Sequence, residues 1–175
     1  MELKGAALVS ALRTGGFVLF MRHADAGESR PECPNESSLT PEGEAEARQV
    51  GTGIKVLGIP ISSIQVSQTC RTRQTAELLR AGPLSVNSDL NPPALRKLSA
   101  DHPQRFDFLL QEPPPGSNIL LVSHIQGATN PLHRILIDQA EIVVYQRGGE
   151  GTAVAVARIK AQAWADLHQS VAPVK

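Results

Sequence analysis

The tetrapeptide Met21-Arg22-His23-Ala24 directly follows the apolar run Gly16-Phe17-Val18-Leu19-Phe20. Imidazole is a nucleophile near neutral pH, and a guanidinium holds phosphate-sized anions through its planar fork. A strand that delivers both to the carboxyl edge of a sheet points to phosphoryl chemistry. The dipeptide means little without partners, and two further strand exits supply them. After the run Ser62-Ser63-Ile64-Gln65-Val66 come Ser67-Gln68-Thr69-Cys70-Arg71-Thr72-Arg73-Gln74-Thr75-Ala76; after Asn118-Ile119-Leu120-Leu121-Val122 come Ser123-His124. Three exits converging on one crevice would gather Arg22, His23, Arg71 and His124. A cation near a helix start opposes the helix dipole, so Arg71 calls for a bound anion there.

Chemistry on a phosphoryl group assigns the roles. Attack by neutral His23 on phosphorus gives a phosphohistidine that water can open. Arg22 and Arg71 balance charge on the phosphoryl oxygens through directional hydrogen bonds, and His124 completes the pocket as a donor. Arg73 lies two residues beyond Arg71, about 200° around a helix, and is expected to face away. His102, His133 and His168 share no metal-ligand spacing and read as surface or packing residues.

The elements that must position these groups alternate. Helix 3–12 leads to strand 17–21, and the polar loop 24–39 leads to a helix over 41–57, with Thr40 as N-cap, Pro41 at its first position and Gly58 and Pro60 as its stop. Strand 64–67, helix 71–80 ended by Gly82-Pro83, strand 84–87 and helix 103–111 come next. A stiff Pro113-Pro114-Pro115-Gly116 linker, strand 118–122 and a weak helix over 129–137 follow. A hairpin pairs 140–146 with 152–159 across Gly148-Gly149-Glu150-Gly151, and a short helix covers 161–168. The pattern predicts an α/β fold: a single domain over 1–175, a three-layer α/β/α sandwich with a mostly parallel central sheet and an antiparallel edge hairpin. At 175 residues the chain is long enough to bury one core unaided.

Taken together, Arg22-His23, Leu39-Thr40-Pro41-Glu42-Gly43, the segment from Ser67 to Ala76 and Val122-Ser123-His124 resemble the histidine phosphatase superfamily. That group includes cofactor-dependent phosphoglycerate mutases, acid phosphatases and small phosphohistidine phosphatases, and the bacterial phosphohistidine-phosphatase-like members match the motif pattern best. The resemblance implies a metal-independent phosphatase with no cofactor, acting on a phosphomonoester or phosphoramidate through a phosphohistidine on His23. Ala24 and Ile125 stand where most members carry Gly, with Gly127 two positions on. Mutase-like members carry a proton-donating Glu in a Leu-x-Glu motif, where this chain has Leu90-Asn91-Pro92. A positioned donor is worth about 10²- to 10⁴-fold, so either the leaving group departs easily or another carboxylate acts. Asp25, Glu28 and Asp89 are the candidates, Asp25 first because it lies nearest the nucleophile in the chain.

Composition narrows the partners. Lys plus Arg equals Asp plus Glu at 17 each, so no global field draws nucleic acid or a membrane surface, and 3% aromatic content gives little for base stacking. A phosphorylated small molecule or phosphoprotein is the expected partner, and no metal is expected. The N-terminal segment lacks a convincing signal-peptide core, which makes the expected location cytoplasmic, or periplasmic or secreted if a signal has been trimmed. If the loop 27–38 folds over the crevice, Cys33 can meet Cys70 as a disulfide; two inert thiols are the equal alternative. The competing functions are a phosphoglycerate mutase-type transferase, disfavoured by the missing acid, and a non-catalytic phospho-ligand-binding protein, disfavoured by His23.

Overall fold

A computed structural model describes residues 2–92, 95, 107–124 and 136–171. A six-stranded sheet carries the fold: β1 (Phe17–Arg22), β2 (Ile61–Val66), β3 (Leu84–Val86), β4 (Asn118–Ser123), β5 (Ile142–Arg147) and β6 (Ala153–Ile159), in the order β3-β2-β4-β1-β5-β6. β5 is antiparallel to both neighbours, β1 and β6, while the other pairings are parallel. The hairpin therefore sits at the edge as expected, yet its outer strand β6 runs with the rest of the sheet.

Central strands are apolar on both sides because both sides are covered. Leu19 and Met21 of β1 and Leu120 and Val122 of β4 face α1 (Gly5–Thr14), α2 (Pro41–Val56), α3 (Cys70–Leu79) and α4 (Trp164–Val171) in one continuous core. Val18, Phe20, Ile119 and Leu121 face the opposite layer, which holds Leu90, Phe108, Leu109 and Ile137. In that layer Asp107–Leu110 forms a single 3-10 turn. Gln111 lies beyond that turn; residues 103–106 of the expected helix over 103–111 and nearly all of that over 129–137 lie outside the described residues, as do His102 and His133.

Local chemistry sets the element ends. Thr40 accepts the Gly43 N–H at 3.0 Å, Pro41 opens α2, Glu42 and Glu44 occupy its first turn and Lys55 its last. A Cβ on Gly43 would stand 2.0 Å from the Asp25 carbonyl oxygen, so only glycine lets α2 start against the loop leaving β1. Strand β2 begins at Ile61, three residues earlier than the pattern predicts; Ser62 lies in it with its hydroxyl donated to the Asn118 carbonyl at 3.0 Å. Helix α3 ends at Leu79, because Arg80 turns left-handed (φ 48) before Gly82 is reached. Buried Asn118 staples the amino edge, accepting from Phe17 N at 3.2 Å and donating to the Leu12 and Pro60 carbonyls at 2.8 and 3.0 Å.

The order of strands places the site. In the strand order β4 stands between β1 and β2, and β1 between β4 and β5, so the strands that follow β1 and β4 in the chain lie in opposite directions across the sheet. Such a switch point leaves an open crevice. His23 and His124 are the first residues beyond β1 and β4.

Candidate active site

Adjacent strands fix the two histidines side by side. The His23 N–H donates to the Ser123 carbonyl at 3.0 Å, and the imidazole centroids of His23 and His124 lie 5.4 Å apart at 65°. The start of α3 brings in Arg71 between them: Nε donates to His23 Nε2 at 3.2 Å, and Nη2 stands 3.3 Å from His124 Nδ1. Ala24 N–H donates to Thr75 Oγ1 at 3.1 Å, and that hydroxyl donates to the Arg71 carbonyl at 2.8 Å, tying the β1 exit to α3.

These contacts define the proton positions. His23 Nδ1 lies 2.8 Å from the Ala24 carbonyl, which can only accept, so Nδ1 carries hydrogen and Nε2 holds the lone pair that faces Arg71. The pKa of His23 is lowered to about 4, first by burial and then by Arg71 and Arg22; the Ala24 carbonyl and Asp25 oppose this. The ring is thus a free base at neutral pH. Burial also lowers Arg71, with Glu36 partly opposing.

His124, 4% exposed, has its Nε2 2.9 Å from Ser67 Oγ. Because a guanidinium only donates, Nδ1 accepts from Arg71, and Nε2–H is the donor to Ser67. Ser67 Oγ in turn lies 3.1 and 2.9 Å from the hydroxyls of Thr69 and Thr72. Ser67 is a role that sequence reasoning missed; a hydroxyl at the exit of a buried strand, inside a motif already singled out, was the signal.

Arg22 sits at the other wall. Its Nη1 donates to the Ile137 carbonyl at 3.0 Å, while its Nε is buried without a hydrogen-bond partner. The carboxylates are arranged differently. Asp25 Oδ2 accepts from the Thr40 hydroxyl at 2.6 Å, supporting the cap of α2. Glu28 and Asp89 are exposed, and Asp89 N–H is bound by the Asn87 side chain at 3.0 Å. Pro92 stands where mutase-like members carry their acid, and its neighbour Asn91 is buried and accepts the Gln68 N–H at 2.7 Å. Arg73 and His168 are exposed.

Cys33 and Cys70 are joined as a disulfide with Cα atoms 6.0 Å apart. The bond straps the loop after β1 to the first residue of α3. Three residues beyond Cys33, Glu36 accepts the Cys70 N–H at 2.6 Å, capping a helix whose own Thr69 makes no side-chain cap. The capping role of Glu36 was legible only once the cysteine pair was known to be closed.

Among the described residues no group of three or more His, Cys, Asp or Glu is disposed to hold a metal, and no helix is long and apolar enough to cross a membrane. The family model described as "Histidine phosphatase superfamily (branch 1)" matches residues 18–92, from β1 through the β3 exit. Solved structures agree in fold. The protein histidine phosphatase SixA complexed with tungstate has a TM-score of 0.58 at 17% identity, covering 83% of this chain and 97% of that one. YhfR of Bacillus stearothermophilus gives 0.55 at 16% identity, over 79% and 94%. A mutant phosphoserine phosphatase of Entamoeba histolytica in complex with phosphoserine gives 0.53 at 14% identity, over 83% and 98%. No curated protein sequence matches the chain. Over residues 18–92 the chain is thus similar to the histidine phosphatase superfamily, and it shares its fold with these solved structures.

Proposed function

We propose that this chain is a metal-independent phosphatase that hydrolyses a phosphomonoester or phosphoramidate through a phosphohistidine on His23. The observation that carries the reading is the Arg71 guanidinium held between His23 Nε2 and His124 Nδ1, at 3.2 and 3.3 Å. Phosphoryl oxygens are anionic acceptors and bind a guanidinium more strongly than neutral imidazole nitrogens do. An arriving phosphoryl group therefore draws Arg71 onto itself and frees the His23 lone pair. The buried Nε–H of Arg22 supplies a second donor for the same oxygens.

In the first step Nε2 forms a bond to phosphorus as the bond to the leaving group breaks, and the leaving group carries off the electron pair and takes a proton from solvent, which the attacking water returns in the second step. In the second, water attacks phosphorus, the N–P bond breaks and inorganic phosphate departs. His124 holds its Nε2–H on Ser67, so it donates to a phosphoryl oxygen only by gaining a second proton at Nδ1. The phosphoryl charge favours that proton.

Substrates are those whose leaving group departs without a strong acid: the imidazole of phosphohistidine, an acyl phosphate or an aryl phosphate. Support comes from Asn91-Pro92 at the position of the family acid and from the engagement of Asp25 with Thr40. The test is to trap phosphoenzyme from an aryl phosphate. An acid-labile, base-stable phosphate that vanishes in His23→Ala is expected. Tungstate binding with no phosphoenzyme and no turnover on aryl, acyl or histidine phosphate would identify a binding protein instead.

A further inference from the structure

The ion pair between Arg158 and Glu141 lies outside the motif-bearing strand exits, yet it builds the wall that holds Arg22. Glu141 is 1% exposed, unusual for a carboxylate, and accepts from Arg158 at two atoms: Nε to Oε1 at 2.8 Å and Nη2 to Oε2 at 2.7 Å. The same Nη2 donates to the Leu136 carbonyl at 2.6 Å, and Glu141 Oε2 also accepts the Asp138 N–H at 2.7 Å. One guanidinium and one carboxylate thus close the turn from Leu136 to Glu141 at its start, middle and end. That turn meets the site at three points. The Ile137 carbonyl accepts from Arg22 Nη1 at 3.0 Å, the Glu141 carbonyl accepts from Arg22 N–H at 3.2 Å, and Ala140 N–H donates to the His23 carbonyl at 3.2 Å.

We propose that Arg158 and Glu141 are positioning residues for phosphoryl binding: by fixing the Leu136–Glu141 turn they hold the Ile137 carbonyl against one end of the Arg22 guanidinium, which keeps its other donors aimed at the phosphoryl group. The inference rests on Arg22 acting as a phosphoryl clamp. A buried carboxylate keeps its charge only while it is paired, and a planar fork is needed to hold two carboxylate oxygens and a carbonyl together. Lysine keeps the charge of Arg158 and loses the fork. No local pattern marks the pair, since Glu141 ends the turn before β5 while Arg158 lies on β6, 17 residues on.

The experiment compares the full chain with Arg158→Gln, Arg158→Lys and Glu141→Gln, using Leu167→Ala in α4 as a control that lowers stability away from the site. Tungstate affinity by calorimetry, kcat and KM on an aryl phosphate, and melting temperature are read for each. Arg158 is partly exposed, which leaves Arg158→Gln able to fold. The expected result is on the order of 10- to 100-fold loss of kcat/KM with about tenfold weaker tungstate binding in Arg158→Gln, the range set by small misplacements of a binding group. Part of the loss falls in kcat, Arg158→Lys recovers part of it, and Leu167→Ala at a similar melting temperature binds tungstate as the parent does. Arg158→Gln or Glu141→Gln that folds with parental tungstate affinity and kcat/KM overturns the positioning role, as does a loss matched by Leu167→Ala. A parent chain that binds no tungstate overturns the phosphoryl-pocket reading itself, and the inference with it. A parent that binds tungstate without turnover leaves the positioning role to be decided by the tungstate arm alone.

Discussion

Arg71 donates from Nε to Nε2 of His23 across 3.2 Å, the one ring nitrogen whose lone pair the His23 backbone environment leaves available. The Ala24 carbonyl holds the proton on Nδ1, so the imidazole is oriented with its basic edge toward Arg71, the cation proposed to bind the phosphoryl group. The proposed nucleophile and clamp are in contact before substrate arrives. Such preorganisation avoids reorienting dipoles during the reaction, where much of the stabilisation of charge arises.

The low pKa of His23, about 4 against an ordinary 6.5, fixes a pH dependence. For the free enzyme, the acid limb of kcat/KM is expected near pH 4, and a limb near 6.5 would contradict the burial that holds the ring neutral. Stability carries the same signature. Between the two values the unfolded chain binds the proton that the folded chain refuses, so this contribution is complete above about pH 6.5 and is lost as pH falls toward 4. Melting temperature followed from pH 7 to 4 should fall more steeply for the parent than for His23→Ala.

Arg71→Lys keeps a positive charge at the start of α3 and removes the fork that spans two histidines. One ammonium cannot reproduce two donors in a fixed plane. Loss of a preorganised donor of this kind costs about 10²- to 10³-fold in kcat, and Arg71→Ala should lose more. Steady-state kinetics on an aryl phosphate with tungstate affinity alongside gives the measurement. An Arg71→Lys enzyme within a few-fold of the parent would show that charge alone suffices.

The Cys33–Cys70 bond closes a chain separation of 37 residues, worth about 4 kcal/mol in the chain-entropy account. For a domain of this size, its loss should lower the melting temperature by roughly 8–16 °C. The double variant Cys33→Ser, Cys70→Ser and the reduced parent should therefore melt together, well below the oxidised parent. KM is expected to rise in both, because Glu36 loses the anchor that holds it on the Cys70 N–H. Differential scanning calorimetry with and without reductant reads the first effect; equal melting of oxidised and reduced protein would show that the strap adds no stability.

How much of this was legible depended on range. The apolar run ending at Arg22 and the run ending at Ser123 announced buried parallel strands, and their shared carboxyl edge follows from chain order alone. Thr40-Pro41 marked the start of α2 because capping is a local event. Other features turned on partners distant in sequence. Ser62 and Ser63 masked the first half of β2, since Ser62 finds its acceptor in the Asn118 carbonyl. Ser67 under His124, Glu36 on α3 and the Arg158–Glu141 pair are each defined by a contact spanning 17 to 57 residues, which no local pattern encodes.

Asp25 provides the sharpest test of how the leaving group departs. Its Oδ2 accepts the Thr40 hydroxyl at 2.6 Å while Thr40 Oγ1 accepts the Gly43 N–H at 3.0 Å, a short chain that anchors the start of α2 to the loop beyond His23. An amide oxygen at this position can still accept from Thr40, so Asp25→Asn should cost under about 1 kcal/mol of stability. Were Asp25 the proton donor, the variant would lose about 10²- to 10⁴-fold on alkyl phosphates and little on p-nitrophenyl phosphate, whose phenolate departs unaided. The expected outcome is the opposite: a similar small loss on both, with the same steep dependence of phosphoenzyme formation on leaving-group pKa in variant and parent. A loss concentrated in the poor leaving groups would instead assign the acid to Asp25 and widen the substrate class to ordinary phosphomonoesters.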